Sequence, residues 1–240
     1  MSSVWITGGG SGIGKALALS FARDNWRVII SGREQKKLDR VCELSPNIIN
    51  MVCDIRDLGA VKHCVETIGA PDLAILNAGE YNPGPTVKSS IDDFRGIMEV
   101  NYFGTLNCIK TLLSVLKSRR GHICVVASLA GYRGLPNSSG YGPSKAALIS
   151  VCESLHSELQ SSAVTIQLIN PGFVRSRLTA QNDFTMPFLI EPEEAAAEIR
   201  KGIKKKKFEI AFPGPFVRRM KILRVLPYWL YFRLMRMISK

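Results

Sequence analysis

The chain has 240 residues, of which 46% are hydrophobic and 22% charged, so it has an ordinary globular composition and enough length for one sizeable core. Its formal net charge is +12, but the last 40 residues carry 12 basic side chains against Glu209 alone, so the first 200 residues are close to neutral. The excess positive charge therefore lies in a basic tail and is not spread over the whole protein.

The cysteines, the histidines and the N-terminus exclude further classes. The six cysteines form no CxxC pair and the three histidines have no ligand spacing, so we predict reduced thiols and no metal site. The N-terminal segment lacks the basic region and apolar core of a signal peptide. We therefore expect a cytoplasmic protein in a reducing compartment.

Short apolar runs alternate along the chain with segments of helical period. We predict strands at residues 3–7, 27–31, 47–54, 72–79, 122–128, 164–172 and 208–212. We predict helices at 14–25, from 34, at 91–117, from 141 and at 191–203. Repeated β-α-β order with uninterrupted apolar strands predicts an α/β fold, with a doubly wound, mostly parallel, Rossmann-like sheet covered on both faces. We expect one domain over residues 1–212 and a basic amphipathic helical tail over residues 213–240.

Glycine and polar residues collect where the predicted strands end. In sheets of this kind, ligands bind at the carboxyl ends of the strands. The residues concerned lie at 7–14, 31–33, 54, 77–79, 128 and 170–172. We therefore expect one rim of the sheet to be the working surface.

The segment TGGGSGIG, residues 7–14, lies between the first predicted strand and the first helix. Glycines allow a tight turn and the close approach of a pyrophosphate, and the following helix presents free N–H groups and the positive end of its dipole. Any tight turn can use glycine, but this position favours a dinucleotide site. Its predicted contacts are Gly8, Gly10, Ser11, Gly12, Ile13 and Gly14.

The end of the second strand distinguishes NADP from NAD. NAD enzymes usually place an acid there to hold the ribose hydroxyls, whereas this chain has Ser31, Gly32 and Arg33. The guanidinium of Arg33 suits a 2′-phosphate by charge and by geometry. Glu34 competes with this interpretation, since it could hold the ribose or pair with Arg33. We predict NADP as the preferred cofactor and NAD as the alternative.

Tyr141 and Lys145, in the segment YGPSK, are four residues apart at the predicted start of a helix and so share one face. Together with the glycine turn, Asp54, NAG at 77–79, Asn101, Ser128 and NPG at 170–172, they follow the order and spacing of the short-chain dehydrogenase/reductase family, which the chain resembles over roughly residues 3–212. Leu76 stands where the family often has a further asparagine, and Ser176 where it usually has threonine. Neither departure removes a catalytic group.

The resemblance implies roles for the matching residues. Tyr141 would be the general acid in reduction and the base in oxidation, with its pKa lowered by Lys145 and the oxidised nicotinamide. Lys145 would also hold the nicotinamide ribose, and Ser128 would hydrogen-bond the substrate oxygen. Asn101 would turn a backbone carbonyl toward a water in a proton relay. Cofactor contacts are further implied for Asp54, Asn77, Ala78, Gly79, Tyr141, Lys145, Pro171, Gly172 and Ser176.

These residues favour an NADPH-dependent reduction of a ketone to a secondary alcohol. The oxidative direction stays open, because sequence does not fix direction. A catalytically idle, NADP-sensing binding protein is the alternative, which the intact Ser128, Tyr141 and Lys145 set disfavours. The family usually pairs subunits through the helices near Asn101 and Tyr141, so the resemblance implies a homodimer or homotetramer.

Residues 173–190 follow the NPG turn, where the resemblance implies a lid over the substrate. The end of this segment is apolar, which suits a hydrophobic carbonyl or alcohol. Its apolar side chains are Phe184, Met186, Phe188, Leu189 and Ile190. The alternative is that these side chains simply pack on the body of the protein.

The tail, residues 214–240, mixes arginine, leucine, methionine and aromatic side chains and has no uncharged run long enough to span a membrane. Pro227 divides it into two helical pieces, and Arg233 and Arg236 share one face of the second. With the lysines at 204–207, this pattern favours an interfacial helix on the cytoplasmic face of an anionic membrane over a dimer interface or a pocket cover. Aliphatic side chains outnumber surface types, so we predict no nucleic-acid partner. Similar tails in relatives acting on lipid-like ketones favour a steroid, sphingoid or long acyl substrate.

Overall fold

The protein, described here as a computed structural model over residues 1–116 and 120–238, is built around a parallel sheet. Seven strands pair in the order β3-β2-β1-β4-β5-β6-β7, and every pairing is parallel. The strands are β1 (Ser3–Thr7), β2 (Arg27–Gly32), β3 (Ile48–Val52), β4 (Leu73–Leu76), β5 (Gly121–Val126), β6 (Val164–Pro171) and β7 (Glu209–Phe212). The predicted doubly wound α/β fold is confirmed.

Alternating burial explains why these apolar runs form strands. In β1, Val4 and Ile6 enter one core while Trp5 between them enters the other, and all three are fully buried. Successive side chains of a strand point to opposite faces, so a strand buried on both faces is apolar throughout. The sheet is therefore covered on both sides, as the unbroken apolar pattern predicts.

Helices cover both faces and extend beyond the last strand. They are α1 (Gly12–Arg23), α2 (Gln35–Cys42), α3 (Leu58–Ile68), α4 (Ile91–Met98), α5 (Thr105–Leu116), α6 (Tyr141–Glu158), α7 (Pro192–Lys205), α8 (Gly214–Val225) and α9 (Tyr228–Ile238). A π-helical turn, Glu99–Gly104, joins α4 to α5, so the single long helix predicted over 91–117 is interrupted. Lys117, its predicted last residue, lies outside the described residues.

Helix α3 is absent from the sequence prediction, although the chain carries its signals. Asp57 caps it by accepting hydrogen bonds from the amides of Gly59 and Ala60 at 2.7 and 3.2 Å. Val61, Val65 and Ile68 bury one face at helical spacing. This helix completes the crossover from β3 to β4.

The strand order reverses between β1 and β4: the chain adds β2 and β3 on one side of β1, and β4 to β7 on the other side. At such a switch point, the loops after neighbouring strands diverge and leave a crevice at their carboxyl ends. The loops after β1, β2, β4, β5 and β6 meet at this edge. They carry the glycine turn, Arg33, the NAG segment, Ser128 and the NPG segment.

The remaining expectations concern the thiols and the tail. All six cysteines are free, and all but Cys42 are buried. Pro227 separates α8 from α9, as predicted, and both helices lie against the body, with Met220 of α8 and Tyr231 and Met235 of α9 buried. Among residues 1–116 and 120–238, no helix combines the length and apolar character needed to cross a membrane.

Candidate active site

The glycine turn after β1 is packed so closely that side chains are excluded from it. A Cβ added to Gly14 would lie 2.3 Å from the carbonyl oxygen of Gly8, and Gly8 itself has a φ of +67°. The turn leads into α1, whose first two residues, Gly12 and Ile13, line the crevice and whose first N–H groups have no partner within the helix. This is a backbone cradle with a positive dipole end, as a pyrophosphate site requires.

The NAG segment braces this turn from the neighbouring strand. The Asn77 side-chain nitrogen donates hydrogen bonds to the carbonyls of Thr7 and Gly8 at 3.1 and 3.3 Å. The Thr7 hydroxyl accepts from the backbone amides of Asn77 and Ala78, both at 3.0 Å. The segments that the sequence predicts to act together are therefore bonded to each other across β1 and β4.

Arg33 lies at the crevice edge beyond β2, but it is engaged by a residue that the sequence analysis missed. Its Nη2 atom is 2.6 Å from a carboxylate oxygen of Glu80, just after the NAG segment. Glu34, the expected competitor, pairs instead with Lys37 at 2.5 Å. Lys37 therefore joins Arg33 as a second cation at this end of the crevice.

Asp54 lies where predicted, beside the crevice after β3. Its carboxylate accepts hydrogen bonds from the guanidinium of Arg56, with the Nη2–Oδ2 distance at 2.6 Å. That contact holds the pKa of Asp54 below its usual range, against the smaller effect of burial. Asp54 therefore faces the crevice as a carboxylate with a fixed orientation.

Ser128, Tyr141 and Lys145 come together in the middle of the crevice. Ser128 accepts a hydrogen bond from the Ala130 amide at 3.1 Å, which orients its hydroxyl. Tyr141 and Lys145 share one face of α6, and the Lys145 ammonium is 5.6 Å from the centre of the Tyr141 ring. Lys145 is 4% exposed and donates to the carbonyl of Val126 at 2.9 Å.

The two titrating groups of this set are shifted by burial. Burial raises the pKa of Tyr141 to about 12, although hydrogen bonding with Ser128 acts in the opposite direction. Burial lowers the pKa of Lys145 to about 8. The lowering of the phenol pKa by Lys145 together with the oxidised nicotinamide stays a prediction.

Asn101 occupies the π-helical turn and ties three segments together. Its side-chain oxygen accepts from the Glu80 amide at 2.7 Å, and its nitrogen donates to the Glu80 carbonyl at 3.0 Å. The same nitrogen donates to the Ser144 hydroxyl at 2.9 Å, and Ser144 donates to the Tyr141 carbonyl at 2.7 Å. Asn101 thus fixes the start of α6, a role that the sequence analysis did not predict. The predicted role of its backbone carbonyl stays a prediction.

The NPG segment and Ser176 close the crevice from the side of β6. Ser128 donates to the Pro171 carbonyl at 3.5 Å, and the Gly172 amide donates to Phe212 at 2.8 Å. A Cβ added to Gly12 would meet Ser176 at 3.5 Å, so this serine lies over the glycine turn. The predicted contacts therefore face one space from several sides.

That space is one cavity of about 1460 Å³. Single small-molecule pockets are usually about 300–1,000 Å³, so this cavity has room for a nucleotide and a second molecule. All predicted site residues line it except Gly14 and Asn101, which act from behind through Gly8, Asn77 and Glu80. The cradle, the cations beyond β2 and the central triad fit a dinucleotide running from Arg33 to Tyr141.

The lid segment and the tail both line the cavity, and their apolar residues form its apolar outer wall beside polar lid residues such as Arg177 and Asn182. From 173–190, Phe173 and Phe184 line it, whereas Met186, Phe188, Leu189 and Ile190 do not, so for those four the alternative of packing on the body holds. From the tail, Met220, Leu223 and Met235 line it. The tail therefore covers the pocket, one of the alternatives left open by its sequence.

Tyr81 is another residue that the sequence analysis missed. Its ring meets that of Tyr141 edge-on, with centroids 4.9 Å apart, and its hydroxyl donates to Asn182 of the lid segment at 2.6 Å. No spacing signal connects residues 101 positions apart, so only the fold shows this link.

Among residues 1–116 and 120–238, no cluster of three or more His, Cys, Asp or Glu side chains could hold a metal ion.

Comparison with known proteins agrees with this geometry. A family model described as short chain dehydrogenase matches residues 2–186. An uncharacterized oxidoreductase from Myxococcus xanthus is 33% identical over 92% of this chain and 91% of its own length. Dehydrogenase/reductase SDR family member 7B from Xenopus laevis is 28% identical over 99% of this chain and 81% of its own length.

Solved structures share the fold. A short chain dehydrogenase from Burkholderia cenocepacia in complex with NADP superposes with a TM-score of 0.87, at 25% identity and with 97% of each chain covered. A short chain dehydrogenase/reductase from Burkholderia phymatum in complex with NAD gives a TM-score of 0.83, at 21% identity and with 92% of each chain covered.

Proposed function

The chain belongs to the short-chain dehydrogenase family of oxidoreductases, which act on CH–OH and C=O groups, and we propose that it reduces a hydrophobic ketone with NADPH. One observation carries this proposal. A single cavity joins a braced glycine turn, the set of Ser128, Tyr141 and Lys145, and an apolar outer wall. The first part suits a dinucleotide, the second proton transfer, and the third an apolar substrate.

NADP is supported by the cations beyond β2. Arg33 and Lys37 both face the cavity, and each is held by a carboxylate that a phosphate could replace. Arg177, from the lid segment, faces it as well. Guanidinium groups match phosphate oxygens in pairs. A structural relative was solved with NADP and another with NAD, so NAD stays the alternative cofactor.

The residues in the centre account for the proton chemistry. NADPH, when bound, supplies the hydride. Ser128 is placed to hold the carbonyl oxygen, on which negative charge develops. Tyr141 donates the proton to that oxygen, and a pKa raised to about 12 keeps the phenol protonated until then. Lys145 then lies 5.6 Å from the ring of the developing phenolate and offsets its charge.

The apolar outer wall defines the substrate class that we propose. This wall consists of lining residues from the lid segment and the tail: Phe173, Phe184, Met220, Leu223 and Met235. Burying each methylene of a substrate against such a wall contributes about 0.8 kcal/mol. A ketone with a long or polycyclic apolar part, such as a steroid, sphingoid or long acyl compound, uses this wall fully.

The exposed face of the tail supports contact with an anionic membrane. Val225, Trp229 and Met237 are each at least 70% exposed, and Phe232 is 54% exposed. Arg233 and Arg236 are exposed on the same helix, α9, as three of these side chains. Exposed tryptophan and arginine on a short helix are typical of interfacial binding. We propose that residues 214–240 dock on such a surface, while residues 1–212 form the catalytic domain.

We also propose that the protein assembles as a homodimer or homotetramer through the helices near Asn101 and Tyr141. Phe103 supports this, because it is 47% exposed in the turn between α4 and α5. Light scattering of wild type and Phe103→Ser would test it. A monomer in both, at micromolar concentration, would contradict the assembly.

Replacing Tyr141 by phenylalanine tests the catalytic proposal. Tyr141→Phe removes the proton donor and keeps the ring, so ketone reduction should fall by about a thousandfold or more while NADPH affinity stays within twofold. NADPH consumption and nucleotide fluorescence measure the two quantities. Retained turnover would contradict the role of Tyr141. Tight NADPH binding by a wild-type protein that reduces no carbonyl would favour the NADP-sensing alternative.

Co-sedimentation with vesicles tests the membrane proposal. Trp229→Ser and Phe232→Ser together should weaken binding to vesicles containing phosphatidylserine by about tenfold or more. Ser114→Ala, an exposed change on the distant helix α5, is the control for handling and folding. Equal binding by the double variant and the wild type would contradict docking through α9.

A further inference from the structure

Arg133, in the loop between Ser128 and Tyr141, makes several of the contacts that fasten this loop to the tail. Its Nη1 atom lies within hydrogen-bond distance of three carbonyl oxygens at the end of α8. These belong to Leu223, Arg224 and Leu226, at 3.0, 2.8 and 2.8 Å. The last carbonyls of a helix lack partners within the helix and form the negative end of its dipole. A guanidinium is therefore an effective cap for this helix end.

The same guanidinium also holds α9. It lies over the rings of Tyr228 and Tyr231, at 4.9 and 4.3 Å from their centres. The Tyr231 hydroxyl donates to the carbonyl of Gly134, next to Arg133 in the chain. Arg133 is thus the point where both tail helices meet the loop that leads from Ser128 to Tyr141.

What Arg133 fastens is a wall of the cavity. Met220 and Leu223, from α8, and Met235, from α9, line the apolar half, and Leu135 lines it from the loop itself. A second contact, between Lys221 and Glu209 at 2.6 Å, ties the second half of α8 to β7. It lies before the α8–α9 junction. The junction and α9 are held by Arg133, with the Tyr231–Gly134 hydrogen bond and the contact of Arg224 with the Tyr132 ring beside it.

We propose that the tail is a specificity-determining wall for the substrate and that Arg133 is the positioning residue that holds it. This inference rests on the proposed reduction of a hydrophobic ketone and adds the part of the chain that selects substrate length. Short ketones reach Ser128 and Tyr141 without touching the tail. Long ketones contact Met220, Leu223 and Met235, and each buried methylene raises kcat/KM about fourfold.

The test compares 2-butanone with 2-decanone as substrates of the full chain. Arg133→Met removes the helix cap and both ring contacts but keeps much of the side-chain volume. Losing contacts equivalent to two methylene groups lowers kcat/KM for 2-decanone about fifteenfold, while kcat/KM for 2-butanone stays within about twofold. Arg218→Met is the matched control, since Arg218 is exposed on α8 and loses the same charge. It should leave both ketones unchanged.

Arg133→Lys separates charge from geometry. A lysine keeps the charge but cannot stack a planar group on two rings, so it should recover only part of the preference for 2-decanone. An equal fall for both ketones in Arg133→Met would show a general structural role and overturn the proposal. Unchanged kcat/KM values for both ketones would overturn it as well.

Hydrogen exchange keeps this inference distinct from the proposed function. If the wild type reduces no ketone, the proposed function fails, and amide exchange in residues 214–238 still tests the clamp. Faster exchange there in Arg133→Met than in Arg218→Met supports it. Equal exchange in the two variants overturns it.

Discussion

Replacing Lys145 by methionine should make the protein more stable while abolishing its activity. Lys145 is 4% exposed, and burial lowers its pKa from 10.5 to about 8. At neutral pH it is charged in both folded and unfolded states, so the shift corresponds to a cost of about 3 kcal/mol in the folded state. Losing the hydrogen bond to Val126 offsets about 1 kcal/mol of the gain. The net stabilisation by Lys145→Met is therefore about 2 kcal/mol, or roughly 5 °C in Tm.

The sign of the pH dependence follows from the direction of the shift. Between the folded pKa near 8 and the unfolded pKa of 10.5, the unfolded chain binds more protons at Lys145, so wild-type stability gains from this group as pH rises. Below pH 8 the full cost remains. By about pH 10 less than about 1 kcal/mol of it is left, so the advantage of Lys145→Met should vanish there.

Urea unfolding of the protein without nucleotide, at about pH 7 and about pH 10, measures this difference. Lys37→Met is the control, because Lys37 is on the surface of α2 and has no comparable burial cost to remove. A Lys145→Met variant that is less stable than wild type at pH 7, or whose advantage is the same at both pH values, would refute the reasoning. Such a result would mean that a neighbouring charge or a water molecule stabilises the buried ammonium of Lys145.

Three other changes have defined outcomes. Gly14→Ala places a Cβ 2.3 Å from a backbone oxygen, so NADPH affinity should fall and stability should fall by about 1–3 kcal/mol. Gly96→Ala, with open space around its Cβ, should lose neither, and equal effects of the two changes in calorimetry and fluorescence would contradict this. Burial raises the pKa of Glu209, but hydrogen bonds from Lys221, Tyr132 and Asn170 together lower it by more, so its pKa lies below the usual value. The stability lost in Glu209→Gln should therefore shrink as pH falls below about 4.5, and a constant difference in urea unfolding would contradict this. Glu80→Gln releases Arg33 from a half-exposed ion pair, so NADPH affinity should rise by up to about fivefold with NADH unchanged; a matching rise for NADH would contradict the assignment of Arg33.

The sequence predicted the sheet and the order of the site because both are encoded by local patterns. Strand β1, for example, was predicted with its observed bounds, since a fully apolar run ending in glycines leaves little choice. Helix α3 was missed even though Asp57 and the spacing of Val61, Val65 and Ile68 signal it.

The contacts that shape the site were not predictable in the same way. Glu80 reaches Arg33 across 47 positions of sequence, and Arg133 reaches the end of α8 across some 90. Ion pairs and helix caps of this kind depend on which loops meet at the edge of the sheet, and neither composition nor periodicity records that. The raised pKa of Tyr141 belongs to the same class, because burial is a property of the assembled crevice.

The two halves of the cavity are held by different means, and this difference bears on how the enzyme works. The nucleotide half is braced by hydrogen bonds between side chains and backbone, such as those of Asn77 to the glycine turn and of Asn101 to Glu80. The substrate half is closed by helices whose outer faces are exposed and whose contacts with the loop after Ser128 centre on Arg133. Local opening has the lowest free energy where few buried contacts resist it, so the tail should open before the glycine turn does. One face of α9 lines the cavity through Met235 while another exposes Trp229. Binding of that exposed face to a membrane would then bias the opening of the wall through which an apolar substrate enters.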